Sequence, residues 1–68
     1  MRNPGYEFVE RWDRLNGRCK VRVGEHVYDV ERWTMPVRIV RFTARLNGAV
    51  VAEKAKFTTL LRALGAGR

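Results

Sequence analysis

The amino-acid sequence predicts a β-rich α+β fold, in which five short antiparallel strands form a meander plus a hairpin and a short C-terminal helix follows. Two Asn-Gly pairs and one Gly-Glu pair separate stretches of alternating apolar and polar residues. Asn-Gly is typical of two-residue hairpin turns, in which both central residues need positive φ. The strands are predicted at about 5–14, 18–23, 26–32, 37–46 and 49–57, and the helix at about 59–64. A small barrel and an open twisted sheet both fit this pattern.

The first three strands are placed in register by two turns, Asn16-Gly17 and Gly24-Glu25. If both are two-residue turns, Lys20 lies opposite Asp13 on one side and opposite Asp29 on the other. One face then carries ion pairs and the other is apolar, collecting Phe8, Trp12, Cys19, Val21, Val23, His26, Tyr28 and Val30. Glu10 also falls on the apolar face, where we expect it at the margin.

The last hairpin turns at Asn47-Gly48 and follows Pro36, which opens or bends its strand because proline cannot donate to a ladder. A two-residue turn predicts the pairs Arg45–Val50, Ala44–Val51, Phe42–Glu53, Arg41–Lys54, Val40–Ala55 and Ile39–Lys56. Glu53 is therefore a second carboxylate that interrupts an apolar face.

The sequence predicts where the C-terminal helix begins, where it ends and which of its residues are apolar and face the sheet. Thr58 is expected to be its N-cap, and Gly65 is expected to end it. Leu60, Leu61 and Leu64 form the apolar stripe that faces the sheet.

Length and charge limit what such a chain can be. Its 68 residues allow one domain with a small core. The net charge is +7, and the excess lies in residues 32–68, which hold eight basic residues against Glu53 alone, whereas residues 1–31 hold six of each sign. This asymmetry predicts an anionic partner. Arginine outnumbers lysine eleven to three, a preference that a GC-rich genome also produces.

The residues needed for catalysis are scarce. The chain has no serine, and Cys19 and His26 are its only cysteine and histidine. The predicted register sets them ~13 Å apart, too far for a thiolate–imidazole pair. One cysteine and one histidine can build neither a disulfide nor a four-ligand zinc site within the chain, and no phosphate-binding loop appears. We therefore expect a protein that is not an enzyme and uses no cofactor or metal.

The sequence also favours a cytoplasmic protein. No segment has the apolar core of a signal peptide or the length of a membrane span, so no membrane partner is expected. The single cysteine, set in an apolar alternation, fits a reducing compartment.

The leading functional hypothesis is an accessory protein that binds nucleic acid or a nucleoprotein through the outer face of the 37–57 hairpin. Directly opposed cations destabilise a sheet unless an anion neutralises them, and arginine forks suit phosphate. The predicted contacts are Arg41, Arg45, Lys54 and Lys56, with Arg38 and Arg62 at the rim. The alternative for this face is a solvated surface that keeps a small protein soluble.

Two other functions fit the sequence. One is a small protein-binding inhibitor of a host machine, of the kind that phage and mobile elements encode, for example an anti-CRISPR-like protein. Its interface anchors would be Trp33, Met35 and Tyr6, although Trp33 also suits a lid over a barrel end. The other is a structural subunit of a larger assembly. A homodimer is compatible with all three functions.

Overall fold

One antiparallel sheet with a helix against one face makes up the protein in a computed structural model that describes residues 5–34 and 39–66. The elements are β1 (Glu7–Asp13), β2 (Arg18–Val23), β3 (His26–Thr34), β4 (Val40–Leu46), β5 (Ala49–Lys54) and α1 (Phe57–Ala63). The strands pair in the order β1-β2-β3-β4-β5. The predicted fold class is confirmed, and of the two architectures the open sheet is the correct one.

The central hairpin, β2–β3, has the predicted register. Val23 lies opposite His26, Val21 opposite Tyr28, and Lys20 opposite Asp29. The last turn is also as predicted, because Asn47 and Gly48 both have positive φ, at 54° and 85°. His26, however, is exposed at the end of β3 and does not join the apolar core.

The first hairpin differs from the prediction, because its loop has four residues, 14–17, and Asp13 lies opposite Arg18. The Asp13 carboxylate organises this loop. It accepts hydrogen bonds from the Leu15 backbone N–H at 2.8 Å and the Asn16 side-chain amide at 2.8 Å. The Gly17 N–H donates to the Asp13 carbonyl at 2.7 Å. The predicted two-residue turn was wrong because Asp13, which precedes the loop, accepts hydrogen bonds from the backbone N–H groups of Leu15 and Asn16. These bonds stabilise a four-residue loop in place of a tighter turn.

Glu10 leaves the apolar face because β1 contains two register shifts. Phe8 lies opposite Val21 and Glu10 lies opposite Lys20, so β1 has one extra residue, Val9, between these two pairs. A second shift between Glu10 and Asp13 returns Trp12 to the apolar side. A bulge exchanges the faces of all later residues, since side chains alternate with a period of two. The predicted position of Glu10 among apolar residues was therefore wrong.

Glu53 leaves the apolar face in the same way. Leu46–Ala49 and Arg45–Val50 pair as predicted, but the register then shifts, so that Ala44 lies opposite Ala52 and Thr43 opposite Glu53. Val51 is the extra residue and is half exposed. The predicted Arg41–Lys54 pair is therefore wrong, because Lys54 lies opposite Phe42 on the face that α1 covers. The pairs predicted beyond the shift are also wrong, because β5 ends at Lys54.

The core lies between the sheet and α1. Its buried members are Cys19, Val21, Val23, Tyr28, Val30, Ala44, Leu60, Leu61 and Ala66. Leu60 and Leu61 come from the predicted helical stripe, and Leu64 packs against the core from its edge. The described part of the chain contains no helix with the length and apolar character that a membrane crossing requires.

The helix ends as predicted but begins earlier. Gly65 has positive φ and donates to the Arg62 carbonyl, while the Ala66 N–H donates to the Leu61 carbonyl at 2.9 Å, which is the Schellman pattern. At the other end Lys56 is the N-cap and makes no side-chain capping bond. Thr58 was the wrong N-cap because Phe57 is already helical, and its ring packs against other aromatic rings of the core edge.

Those rings form an aromatic cluster made of Tyr6, Phe8, Trp12, Phe42 and Phe57. Phe57 contacts all four others, with ring centroids 5.4 to 6.2 Å apart. Trp12 on β1 and Phe42 on β4 meet at 6.0 Å, although two strands separate them in the sheet. Neighbouring strands are ~4.8 Å apart, so this contact requires the sheet to curve around the cluster.

Two glycines offer a matched test of the first loop. Gly17 and Gly24 have nearly the same positive φ, 62° and 63°, but a Cβ at Gly17 would lie 2.9 Å from the Arg32 carbonyl oxygen, whereas one at Gly24 would meet nothing within 4 Å. Gly24→Ala should lower the free energy of unfolding by about 1 kcal/mol through backbone strain alone. Gly17→Ala should cost about 1 to 2 kcal/mol more, because the Arg32 backbone must also shift. Urea denaturation measures both, and equal losses would contradict the close packing of the loop on β3.

Candidate functional site

The face of the sheet opposite α1, here called the open face, is covered by ion pairs. Glu7 pairs with Arg22 at 2.7 Å, Glu10 with Lys20 at 3.2 Å, and Glu53 with Arg41 at 2.7 Å. Glu31 lies between Arg18 and Arg45, at 3.5 and 3.3 Å. Asp29 is 4.0 Å from Lys20. Each exposed pair is worth ~0 to 1 kcal/mol, so together they do more to balance charge than to hold the sheet.

Counting by face shows where the net charge lies. The open face carries six acidic residues, Glu7, Glu10, Asp13, Asp29, Glu31 and Glu53, against five basic ones, Arg18, Lys20, Arg22, Arg41 and Arg45. The chain has seven acidic residues in total and a net charge of +7. The other basic side chains among the described residues are Arg11, Arg14, Arg32, Lys54, Lys56 and Arg62, and the only further acidic one there is Glu25.

The predicted binding residues are consequently divided between two surfaces. Arg41 and Arg45 lie on the open face, and each holds a carboxylate. Lys54 lies on the opposite face beside Phe42, Lys56 immediately precedes α1, and Arg62 is exposed in the last turn of α1. Arg38 lies outside the described residues. The single four-cation face of the prediction is not formed, because the shift at Val51 turns Lys54 away from Arg41.

An aromatic pocket opens on the side of the sheet that carries α1. Its walls are Trp12, Phe42 and Phe57, and Asp13, Arg14, Gly17 and Arg32 complete its lining around a half-open volume of about 330 Å³. The three rings meet edge-on or tilted, at interplanar angles of 65°, 65° and 45°. All three are half-buried, so each keeps part of its surface toward solvent. Gly17 contributes only backbone to this lining.

Basic side chains surround this pocket without acidic partners. Arg32 lies opposite Phe42, and Phe42 in turn lies opposite Lys54, so the two cations stand on either side of the ring. All seven acidic side chains fall within the described residues, and none of the salt bridges there involves Arg14, Arg32, Lys54, Lys56 or Arg62. We call these five residues the helix-side cations.

Asp13, the last residue of β1, lies at the edge between the two faces of the sheet, and it is the one acidic residue in the lining of the aromatic pocket. Hydrogen bonds from the Asn16 side-chain amide and the Leu15 N–H hold the pKa of Asp13 below its usual value, so the carboxylate is ionised at neutral pH. Its oxygens are occupied by the 14–17 loop. It is therefore a structural residue of the loop at one end of the pocket.

The predicted interface anchors occupy different surroundings. Trp33 is half-buried on the open face, and its indole N–H donates to the Thr43 hydroxyl at 2.7 Å. Because the sheet is open, Trp33 is not a lid over a barrel end. Tyr6 packs edge-on against Phe8 and Phe57 at 5.7 and 6.1 Å, so it belongs to the aromatic cluster. Met35 lies outside the described residues.

The two residues considered for nucleophilic chemistry are separated by their environments. Cys19 is 4% exposed, and burial raises the pKa of its thiol to about 12. His26 is exposed, and its ring lies 6.1 Å from that of Tyr28. Within residues 5–34 and 39–66, no group of three or more His, Cys, Asp or Glu side chains is placed to hold a metal ion.

The aromatic pocket is not evident from the sequence, although the alternation of residues places Trp12 and Phe42 on apolar faces. One available signal was Asp13 four residues before Gly17, since an aspartate and a glycine that flank three residues favour a longer loop. That loop brings Arg14 and Gly17 into the lining of the pocket. No local feature of the sequence indicates that aromatic rings from β1, β4 and α1 contact one another.

Comparison with known proteins adds no relationship. No protein-family model, no curated protein and no solved structure matches this chain.

Because Cys19 is buried, we predict that its thiol reacts slowly with a disulfide reagent. At a pH near 8 the folded protein should react with a disulfide reagent about 100-fold or more slowly than the urea-unfolded chain, because both the thiolate fraction and access are reduced. Absorbance at the reagent's product band follows the reaction, and the unfolded chain is its own control. Equal rates would show that Cys19 is accessible and that the packing of β2 against α1 is looser than described.

Proposed function

We propose that this protein is a non-enzymatic nucleic-acid-binding protein whose contact surface is the side of the sheet that carries α1. The observation that supports the proposal is the distribution of salt bridges: five of the seven acidic side chains lie with basic partners on the open face, and none of the salt bridges of the described residues involves a helix-side cation. The proposal keeps Lys54, Lys56 and Arg62 from the sequence prediction, adds Arg14 and Arg32, and removes Arg41 and Arg45.

The ion pairs are the reason for removing Arg41 and Arg45. A phosphate approaching Arg41 would have to displace Glu53, which lies 2.7 Å from the guanidinium, and would remain close to that carboxylate afterwards. Arg45 is held by Glu31 in the same way. Like charges close together repel, so the open face offers little gain to a polyanion. The helix-side cations can bind phosphate without breaking an existing pair.

A phosphate polymer suits these cations better than a single small anion. They are spread from the 14–17 loop across the sheet to α1, and Arg32 and Lys54 alone are two strands apart, about 10 Å. A chain of phosphates can contact several of them and release counterions at each. Because such contacts involve the backbone of the nucleic acid, sequence preference should be weak.

The two alternative functions have less support in the described residues. A protein-binding inhibitor was predicted to use Trp33 and Tyr6 as anchors, but the indole N–H of Trp33 is bonded to Thr43 and Tyr6 packs in the aromatic cluster. A structural subunit or homodimer would use an exposed surface such as β5, where Val50 and Val51 are about half exposed. The register shift at Val51 interrupts regular pairing along that strand.

Two double variants with the same loss of charge test the proposal. Lys54→Ala/Lys56→Ala should weaken binding to short oligonucleotides about tenfold and lower the log–log slope of affinity against salt by about 1 per lysine. Arg41→Ala/Arg45→Ala should stay within about threefold of the unmodified protein with an unchanged slope, because these residues are engaged by carboxylates. Fluorescence polarisation across a salt series measures both quantities.

Circular dichroism and urea denaturation show whether each variant is folded before binding is compared. Equal weakening by the two double variants would mean that only the overall charge matters. Weakening by Arg41→Ala/Arg45→Ala alone would return the site to the open face. Absence of binding by the unmodified protein at low salt would reject the proposal.

A further inference from the structure

The aromatic pocket lies in the middle of the helix-side cations. Its walls are Trp12, Phe42 and Phe57, and Arg14 and Arg32 also line it. Lys54 lies opposite Phe42 in the β4–β5 ladder, and Lys56 directly precedes Phe57 in the chain. An apolar cavity surrounded by unpaired cations suits a ligand with a planar apolar part and negative charge on either side of it. A nucleotide within a polymer has this chemistry, because phosphates flank its base.

The size of the pocket limits the ligand. Its volume of about 330 Å³ is at the lower end of the range of small-molecule sites, so it suits one ring system rather than a peptide helix or a large cofactor. The three rings stand at angles of 45° to 65° to one another and therefore form a cup. A flat ring that enters this cup can stack on one wall while the edges of the others enclose it.

The side chains that line the pocket offer a base almost no free hydrogen-bond acceptor, because Arg14 and Arg32 are donors only. Asp13 is the only carboxylate in the lining, and its oxygens already accept hydrogen bonds from Leu15 and Asn16. The ring would therefore be held by stacking, which every base can provide, and little preference among bases should result. Asp13 would repel phosphate at the loop end, so the backbone of the ligand should run along Arg32, Lys54 and Lys56.

A base inside a duplex cannot reach such a pocket, because it is paired and stacked between its neighbours. We propose that the aromatic pocket of Trp12, Phe42 and Phe57 binds an unstacked base, and that the ligand of this protein is single-stranded nucleic acid. This inference rests on the proposed nucleic-acid function and specifies its substrate class.

The test compares binding of a short oligo(dT) with binding of a duplex of the same length. Trp12→Leu and Phe42→Leu keep an apolar side chain but remove a stacking surface, and each should weaken oligo(dT) binding by about 5- to 100-fold without changing the salt slope. Phe8→Leu is the matched control, since Phe8 belongs to the same aromatic cluster but does not line the pocket. It should bind within about twofold of the unmodified protein.

A second measurement does not depend on the folding of the leucine variants. Trp12 and Trp33 are the only two tryptophans, so Trp33→Phe leaves Trp12 as the single reporter. Oligo(dT) should quench its fluorescence by stacking on the indole, whereas the duplex should not. Deoxythymidine monophosphate at the same nucleotide concentration should have little effect, because one phosphate engages few of the cations.

The outcomes separate this inference from the proposed function. If neither oligo(dT) nor duplex binds at low salt, both are rejected. If nucleic acid binds but Trp12→Leu and Phe42→Leu bind oligo(dT) as tightly as the unmodified protein, only the aromatic pocket is rejected. Quenching of Trp12 by the monophosphate as strongly as by oligo(dT) would also overturn the single-strand inference, in favour of a free nucleotide.

Discussion

The division of charge between the two faces of this protein depends on keeping the carboxylates of Glu10 and Glu53 off the surface that α1 covers. An ionised carboxylate held against aromatic rings would cost several kcal/mol if it lacked a partner. β1 and β5 avoid that cost with extra residues, which turn Glu10 toward Lys20 and Glu53 toward Arg41. A bulge disrupts the ladder locally, but these bulges lie on the two outer strands, where fewer hydrogen bonds are affected.

The same register shifts separate the charges of the two faces. Six carboxylates are brought together with five cations on the open face, whereas the helix-side cations take part in none of the salt bridges of the described residues. No extra basic residue is required for this result, because a shift of one residue exchanges what lies on each face. The proposed site is therefore a consequence of the strand register at the sheet edges.

The aromatic cluster links stability to the proposed function. The core of the described residues is small, with six buried apolar side chains from the sheet and three from α1 and the turn after it, and Phe57 joins β1, β4 and α1 at its edge. Trp12, Phe42 and Phe57 are only half-buried, so they support the core with one part of their surface and line the pocket with the other. A substitution of one of these three rings therefore changes both the stability of the core and the shape of the pocket. Phe8→Leu is the control because Phe8 belongs to the aromatic cluster but does not line the pocket.

Local signals in the sequence, period-two alternation and turn residues, are sufficient to predict the five strands, the helix, the central register and the turn at Asn47-Gly48. They also indicate that Glu10 and Glu53 do not fit a regular ladder. How these two residues are accommodated follows from tertiary contacts, since a bulge depends on the partners that β2 and β4 offer. The same holds for the division of Arg41 from Lys54, and for the pocket, whose walls come from three elements far apart in the chain. Contacts between such elements leave no periodic trace in a single sequence.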